Sequence, residues 1–303
     1  MIHQIDIEGR DKVDKAILRL QTYEPPEGYW LAFSGGKDSV VIKALADMAG
    51  VKYEAHYSVT GIDPPELVYF IKEHHKDVIW DIPRDKNGNR ITMWSLIPQK
   101  MLPPTRLARY CCRELKESAG MGRLTITGVR WAESANRKRN QGGITVYGKS
   151  VIKDFKEEDK GNFTSTPRGG VVLRLDNTET RRMVEMCYKT HKTVLNPIID
   201  WDDSEVWEFI KEYSVPYCKL YDQGYKRLGC IGCPLNTAGQ KKELELYPRY
   251  KKLYLMAFDK MLKEYERKGI ESKISWKTAE DVMTWWVGDH KKETDQIEWE
   301  NIE

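Results

Sequence analysis

The sequence predicts an α/β protein with a doubly wound parallel sheet and an appended helical C-terminal region. Three observations lead to this fold class. Apolar strand-like runs alternate with segments of helical period in the first 130 residues, which is typical of parallel sheets. A glycine-bearing loop directly follows the first of these runs, and the helical period returns after Asn196. We expect an α/β domain at 1–140, an inserted hairpin or flap at 141–180, and a helical region at 181–303.

The elements of the α/β domain follow from apolar spacing and from the residues that stop each segment. A first helix is expected at 13–20, before Pro25 and Pro26. Strands are expected at 29–33, 52–59, 78–82 and 124–129, and helices after residue 36, at 65–74 and at 105–117. Between 141 and 177, repeated glycines separate short β-prone pieces. Asp202 and Glu205 then form a capping-box pattern before an apolar stripe, which predicts a helix.

Composition sets wide limits on function. The chain has 303 residues, 40% of them hydrophobic, and a net charge of +3, which neither demands nor excludes a nucleic-acid partner. No run approaches the roughly 18 apolar residues of a membrane span, and the first residues lack the features of a secretory signal. We therefore expect a cytoplasmic protein with no membrane partner, in which the six cysteines are thiols, metal ligands or catalytic groups.

The loop after the first strand has the residue types of a phosphate-binding turn: Ser34, Gly35, Gly36, Lys37, Asp38 and Ser39. Adjacent glycines let backbone N–H groups converge on phosphate oxygens, and the following helix directs its N-terminus at the same point. The lysine supplies a cation, the two serines add hydroxyl groups, and Asp38 is a candidate metal ligand. The spacing is not that of a Walker A loop. The alternative interpretation is a plain strand-to-helix turn.

Four of the six cysteines fall in two close pairs. Cys230 and Cys233 form a C-x-x-C turn, which brings two thiolates within reach of one metal or cluster. Cys111 and Cys112 are adjacent, so a distorted helix end is needed before both can face one centre. Buried packing is the alternative for either pair.

Several motifs resemble known families. The loop at 34–39 resembles the PP-loop of the ATP pyrophosphatases and adenine-nucleotide alpha hydrolases, in which it holds pyrophosphate. The two cysteine pairs resemble the ligands of the [4Fe-4S] adenylyl-sulfate reductases. The order of further segments is similar to the sulfonucleotide-reductase family from about residue 28 to 235: Thr60-Gly61, Arg109 to Cys112, Gly128 to Arg130, Asn196 to Trp201, and Leu220 to Tyr225.

The resemblance implies roles for these residues. It places Cys111, Cys112, Cys230 and Cys233 on a [4Fe-4S] cluster, with zinc as the competing metal. It assigns nucleotide binding to the loop residues 34–39 and to Thr60, Gly61, Gly128 and Arg130. Lys37, Asp38 and Arg130 would be the catalytic group, acting with Mg²⁺ on ATP. One departure is that Val59 stands where the family usually has an acidic residue before Thr-Gly.

A second departure bears on the reaction. The reductases attack the sulfate sulfur with a cysteine in a Glu-Cys-Gly motif, whereas residues 234–303 of this chain contain no cysteine. The favoured function is therefore ATP-dependent adenylation with pyrophosphate release, coupled to iron-sulfur-linked sulfur transfer, as in the ATP pyrophosphatase subunit of DNA phosphorothioation systems. A sulfonucleotide reductase and a nucleotide-binding regulatory module are the alternatives.

The partners expected are an adenine nucleotide and either a nucleic acid or a sulfur-donor protein. Arg137, Lys138 and Arg139 form a basic stretch that follows Arg130 and that could contact a nucleic-acid backbone. A solvated face, or further phosphate ligands for the nucleotide, explains the same residues.

Overall fold

The computed structural model describes residues 2–6, 9–117, 120–148, 151–155, 159, 161–174, 178–269 and 276–288. They form two compact units. The sheet unit comprises the described residues of 1–59, 64–82 and 117–229. The cysteine unit comprises 60–63, 83–116 and the described residues from 230 onward. These units differ from the predicted boundaries at 140 and 180, since the described residues of 141–180 belong to the sheet unit.

Eight strands make up one sheet within the described residues, in the order β3-β2-β1-β4-β8-β5-β7-β6. Strands β3, β2, β1, β4 and β8 run parallel, whereas β5, β7 and β6 are added antiparallel at one side. The strands are β1 Tyr29–Ala32, β2 Tyr53–Ser58, β3 Ile79–Asp81, β4 Thr125–Ile126, β5 Ile144–Tyr147, β6 Phe163–Ser165, β7 Val171–Leu173 and β8 Lys192–Leu195.

The helices of the sheet unit are α1 Lys12–Thr22, α2 Lys37–Ala49, α3 Pro65–His74, α6 Ala135–Asn140, α7 Thr178–Thr190 and α8 Asp203–Glu212. Those of the cysteine unit are α4 Met93–Lys100, α5 Tyr110–Cys112, α9 Gln240–Leu246, α10 Pro248–Lys268 and α11 Ala279–Val287. Capping boxes begin α1 at Asp11, α4 at Thr92, α8 at Asp202 and α11 at Thr278. Each box satisfies backbone donors that the first helical turn leaves unpaired.

The core of the sheet unit explains its strand and helix order. Leu31 and Ile126, from neighbouring central strands, are fully buried, as are Val41 and Leu45 of α2. The apolar faces of α1, α3 and α8 belong to the same buried cluster. Strand order reverses between β1 and β4, because β1 leads to β2 and β3 on one side while β4 leads to β8 on the other. In open α/β sheets, ligands bind beyond the carboxyl ends of strands at such a switch point.

The segment 141–180 was expected to be an inserted hairpin or flap. It instead supplies β5, β6 and β7 to the main sheet, and β5 pairs along its whole length with β8. Gly142 lies against Val172 and the backbone N–H of Asn196 donates to the carbonyl of Gly143, so the segment joins the sheet at its first residues. The predicted parallel sheet is therefore the larger part of a mixed sheet.

The cysteine unit is helical. Its core includes Tyr254, Phe258 and Met261 on one face of α10, together with Leu96 and Ile97 of α4 and Trp286 of α11. The appended helical C-terminal region is thus confirmed in type. The helix expected at 105–117 is wrong in its first part: residues 105–109 are not helical, and a single α-turn at α5 continues as a π-helical turn at Arg113–Glu117. Among the described residues, no helix combines the length and the apolar character that crossing a bilayer requires.

Candidate functional site

The loop between β1 and α2 is shaped by two glycines. Gly35 has φ +72°, and a Cβ added there would lie 2.8 Å from side-chain atoms of Leu67 and Ile71 of α3. Neither the backbone conformation nor the space accepts another residue. Gly36 is the N-cap residue of α2 and has no side chain to occupy the helix N-terminus. The loop therefore leaves this helix end available to an anion.

Hydroxyl groups surround the same loop. Ser39 donates to the carbonyl of Gly36 at 2.8 Å, and Ser34 donates to the hydroxyl of Ser39 at 3.2 Å. The backbone N–H of Lys37 donates to the hydroxyl of Tyr221 at 2.9 Å. Burial raises the pKa of the Tyr221 phenol, so this hydroxyl stays neutral and remains a hydrogen-bond partner at the first turn of α2.

Four charged side chains meet beside the loop. Arg130 donates from Nε to Oδ1 of Asp38 and from Nη2 to Oδ1 of Asp203, each at 2.7 Å. Lys37 Nζ lies 3.2 Å from the same Asp203 oxygen and 3.7 Å from Oδ2 of Asp38. The side chains of Lys37 and Arg130 are 6% and 2% exposed. Two buried cations are therefore fixed in place by two carboxylates.

The pKa directions agree with this arrangement. Burial acts against the charge on Asp203, but the Arg130 hydrogen bond and the Lys37 charge lower the pKa of the Asp203 carboxyl below its usual value. Burial likewise acts against the guanidinium, but the carboxylates of Asp38 and Asp203 raise the pKa of Arg130. These two partners are consequently charged at neutral pH.

Gly128 brings the second cation to the loop. It follows β4, and a Cβ there would lie 2.9 Å from the Asp38 Cβ and 3.0 Å from the Asp38 carbonyl. Only glycine allows the chain after β4 to approach the first turn of α2 this closely. Arg130 is two residues further on, and its Nη1 also reaches the carbonyl of Trp201 at 3.4 Å. The loop after β1 and the loop after β4 therefore meet at the switch point, where they form a candidate site.

The four paired cysteines all belong to the cysteine unit, where each is half-buried. The Cys111 pKa is raised by its hydrogen bond with Cys112, by burial, and by the nearby Cys230 and Cys233. Burial raises the pKa of Cys230 to about 12, and the Lys116 cation partly offsets this. Four thiols that influence one another, with a lysine beside them, are a donor set suited to a metal cluster or to zinc. The suitability concerns the residue types, since the side chains of the described residues do not already form a ready-made group of three or more His, Cys, Asp or Glu metal ligands.

Side chains from two helices hold the backbone of the C-x-x-C turn. The N–H of Gly232 donates to Glu243 at 3.0 Å, and Gln240 donates to the carbonyl of Gly232 at 3.1 Å. The hydroxyl of Tyr254 donates to the carbonyl of Ile231 at 3.0 Å. Gly232 has φ +70°, so the turn needs a glycine there. The turn is therefore fixed from α9 and α10.

Some of the predicted nucleotide-binding residues lie together in the sheet unit, whereas others belong to the cysteine unit. The loop residues 34–39, Gly128 and Arg130 lie in one place in the sheet unit. Thr60 and Gly61 belong to the cysteine unit, where the buried Thr60 hydroxyl donates to Asp63 at 2.7 Å. The N–H of Ile231 donates to the carbonyl of Ile62, so this turn pairs with the C-x-x-C segment. Their predicted nucleotide-binding role stays a prediction.

Sequence reasoning missed Asp203 and the contact made by Tyr221. The available signal for Asp203 was the capping box at Asp202 and Glu205, since it makes Asp203 the first residue of α8. No pattern in the sequence shows that this residue faces a lysine and an arginine far away along the chain.

Comparisons with known proteins agree with the motifs. The chain is 27% identical over 247 residues to an uncharacterized protein of Methanocaldococcus jannaschii, covering 79% of this chain and 48% of that protein. It is 44% identical over 119 residues to an adenosine 5'-phosphosulfate reductase of Salinibacter ruber, covering 36% of this chain and 46% of the enzyme. The chain thus spans less than half the length of either relative.

A phosphoadenylyl-sulfate reductase of Candida auris, solved as a phosphate complex, aligns with 71% of this chain and 87% of its own, at 15% identity and a TM-score of 0.39. The family description of the phosphoadenosine phosphosulfate reductase domain matches residues 28–236. That range contains the loop, the switch-point arginine and both cysteine pairs. The chain therefore belongs to the phosphoadenosine phosphosulfate reductase domain family.

Proposed function

We propose that the protein binds ATP at the switch point and adenylates an acceptor with release of pyrophosphate. This step would be coupled to sulfur transfer through a [4Fe-4S] cluster on Cys111, Cys112, Cys230 and Cys233. The observation that carries the proposal is the pair of buried cations, Lys37 and Arg130, beside a helix N-terminus whose N-cap residue, Gly36, has no side chain. Such a site suits a ligand with several negative charges.

The chemistry assigned to the site is adenylyl transfer, a displacement at the α-phosphorus of ATP. An acceptor nucleophile would attack the α-phosphorus of ATP, forming a bond there while the bond to the bridging oxygen of the β-phosphate breaks. The electron pair leaves with pyrophosphate. Lys37, Arg130 and the N–H groups of the loop would stabilise the charge that develops on this leaving group. Asp38 would hold Mg²⁺, which neutralises the phosphate oxygens further.

The cysteine unit would supply the sulfur chemistry. A bound cluster provides electrons or handles sulfur, and the four thiolates would hold it. Lys116 Nζ lies 3.9 Å from Oδ1 of the buried Asp63, the Lys116 side chain is 40% exposed, and its charge acts on the Cys230 thiol. It is therefore a cation that balances thiolate charge. Glu243, Gln240 and Tyr254 keep the turn that carries one ligand pair in a fixed conformation.

A sulfonucleotide reductase is the second candidate. It is favoured by the local identity to adenosine 5'-phosphosulfate reductases, which reaches 49% over 39 residues for the Allochromatium vinosum protein. It is disfavoured because residues 234–303 contain no cysteine that could act as the nucleophile. A covalent route would need a thiol nucleophile from elsewhere.

We further propose a nucleic acid as the acceptor, with a sulfur-donor protein as the alternative partner. Residues 131–192 contain thirteen Lys and Arg against eight Asp and Glu, so the net positive charge of this stretch is larger than the +3 of the whole chain. Lys138 and Arg139 of α6 are exposed, whereas Arg137 is paired with Glu133 at 3.2 Å. Exposed basic side chains such as these two suit a phosphate backbone. Binding of a DNA duplex that weakens steeply with salt, and weakens further in K138A/R139A, would support this acceptor class.

The experiment that tests the function compares three nucleotides with anaerobically purified protein. ATP, adenosine 5'-phosphosulfate and its 3'-phosphorylated form are incubated separately, each with and without Mg²⁺ and a nucleic-acid acceptor. Pyrophosphate release from ATP supports adenylation, and sulfite release from either adenylyl sulfate supports the reductase. Nucleotide binding that depends on Ser34 and Asp38 without any turnover supports a regulatory module instead. Iron and acid-labile sulfide analysis of the same sample separates a cluster from zinc.

A further inference from the structure

Both buried cations of the site share one carboxylate oxygen. Oδ1 of Asp203 lies 2.7 Å from Arg130 Nη2 and 3.2 Å from Lys37 Nζ. The cations are nearly inaccessible, but the Asp203 side chain is 62% exposed. Of the groups in contact with both cations, this carboxylate is thus the one that an incoming ligand meets first.

The fold places this carboxylate independently of the helix cap. Asp202 is the N-cap of α8, and it exchanges hydrogen bonds with Glu205 in the capping box. Asp203 is the next residue, and its side chain is not needed to cap the helix. Val206, Phe209 and Ile210 bury the apolar face of α8, and this packing fixes the first turn of the helix beside Arg130. The position of the Asp203 carboxylate follows from the packing of α8.

The charges at the site cancel. Lys37 and Arg130 carry two positive charges, and Asp38 and Asp203 carry two negative ones. A tethered carboxylate competes at an effective concentration of millimolar or more with any anion free in solution. A single oxyanion such as sulfate or phosphate must displace the Asp203 carboxylate from the two cations, and it brings no positive charge with which the displaced carboxylate could pair. A polyphosphate with a divalent cation brings positive charge that carboxylates can accept, and it has enough oxygens to reach both cations.

We infer that Asp203 is a specificity-determining residue, an internal anion that makes the site select metal-bound polyphosphate over single oxyanions. This inference rests on the proposed function, because it names the form of the nucleotide phosphates that the same site accepts. The role of Asp203 is to select among anions, and its charge is not needed to stabilise α8, which Asp202 and Glu205 cap.

The test measures binding of inorganic phosphate, sulfate and pyrophosphate by titration calorimetry, each with and without Mg²⁺. The wild-type protein is compared with D203N and with E212Q, which removes a carboxylate from the other end of α8, where it contacts His3 at the surface. We expect D203N to bind metal-free pyrophosphate and phosphate at least tenfold more tightly than wild type, with a smaller gain from Mg²⁺. E212Q should match wild type. Equal or weaker binding of the metal-free anions by D203N would overturn the inference.

Two further measurements keep the outcome clear. Thermal unfolding of each variant shows that it is folded, and D203S provides a second removal of the charge should D203N not fold. Pyrophosphate release from ATP is then measured with the wild type alone. If release is absent but D203N still gains affinity for single oxyanions, the proposed function fails and the role of Asp203 stands. If release occurs and D203N binds like wild type, the role of Asp203 fails alone.

Discussion

Replacing Arg130 by lysine tests whether the two-carboxylate contact holds the anion site together. Arg130 reaches Asp38 through Nε and Asp203 through Nη2, both at 2.7 Å. A lysine keeps the positive charge but presents a single ammonium on a flexible stem, which cannot make the two directed contacts of a guanidinium. R130K therefore loses one carboxylate contact while the net charge of the site is unchanged.

The magnitude follows from the geometry. A hydrogen bond to a charged group contributes about 1.5–3 kcal/mol. Since the exposed Asp203 can be rehydrated, we take the lower half of this range and expect the free energy of unfolding to fall by about 2 kcal/mol. A lysine also cannot make the paired contacts of a guanidinium with phosphate oxygens, and losing one such contact at a similar cost corresponds to about a 10- to 50-fold larger dissociation constant for pyrophosphate.

Urea unfolding and titration with Mg²⁺-pyrophosphate measure the two quantities on the same sample. R137K is the matched control, because Arg137 makes a 3.2 Å contact with Glu133 on the same stretch of chain and is not among the partners of Asp38 or Asp203 described above. We expect R137K to lie within about 0.5 kcal/mol of wild type in stability. An R130K protein that is as stable as R137K and binds pyrophosphate equally well would refute the reasoning.

Three other predictions concern packing, the cysteine turn and pH. G128A should weaken pyrophosphate binding at least tenfold in calorimetry, because its Cβ would press on the first turn of α2, whereas a Cβ at Gly229 meets open space and G229A should not change binding. E243Q keeps only one acceptor oxygen for the two donors that Glu243 now satisfies, the Gly232 N–H and the Asn236 side-chain amide. Bound iron should therefore be lost to a chelator several times faster than from the surface control E245Q. Equal rates of iron loss would show that Glu243 does not hold the C-x-x-C turn. Burial lowers the pKa of His75 to about 4, below the unfolded value near 6.5, so the unfolded chain binds the extra proton and the free energy of unfolding should fall by about 2 kcal/mol from pH 7 to pH 5. H75L should flatten this slope in urea unfolding at the two pH values, and an unchanged slope would exclude His75 as its source.

Local signals predicted the part of the fold that carries the candidate anion site. The helix at 65–74 agrees with the structure at both ends, and the strand expected at 29–33 differs by one residue. These elements depend on apolar period, proline and glycine, which are local properties of the chain. The loop chemistry was equally local, since six consecutive residues supply the glycines, the hydroxyls and the lysine.

The misses have physical causes of another kind. Nothing in the β-prone pieces of 141–177 specifies that β5 pairs with β8, because strand pairing depends on contacts between distant segments. Residues 105–109 have a helical pattern, but they directly follow two prolines and are not helical. The helix begins only at Tyr110, and it continues beyond Cys112 as a π-helical turn. Asp203 was missed for the same reason as β5: its partners are brought to it by the packed fold.

The central claim is that the loop at 34–39 and Arg130 hold the phosphates of an adenine nucleotide. A crystal structure of the protein with Mg²⁺ and a non-hydrolysable ATP analogue tests it most directly. We expect β- and γ-phosphate oxygens within hydrogen-bond distance of the loop N–H groups and of Lys37, with the Asp203 carboxylate moved off the two cations. Phosphates bound elsewhere, with the Lys37–Asp203–Arg130 contacts intact, would contradict it.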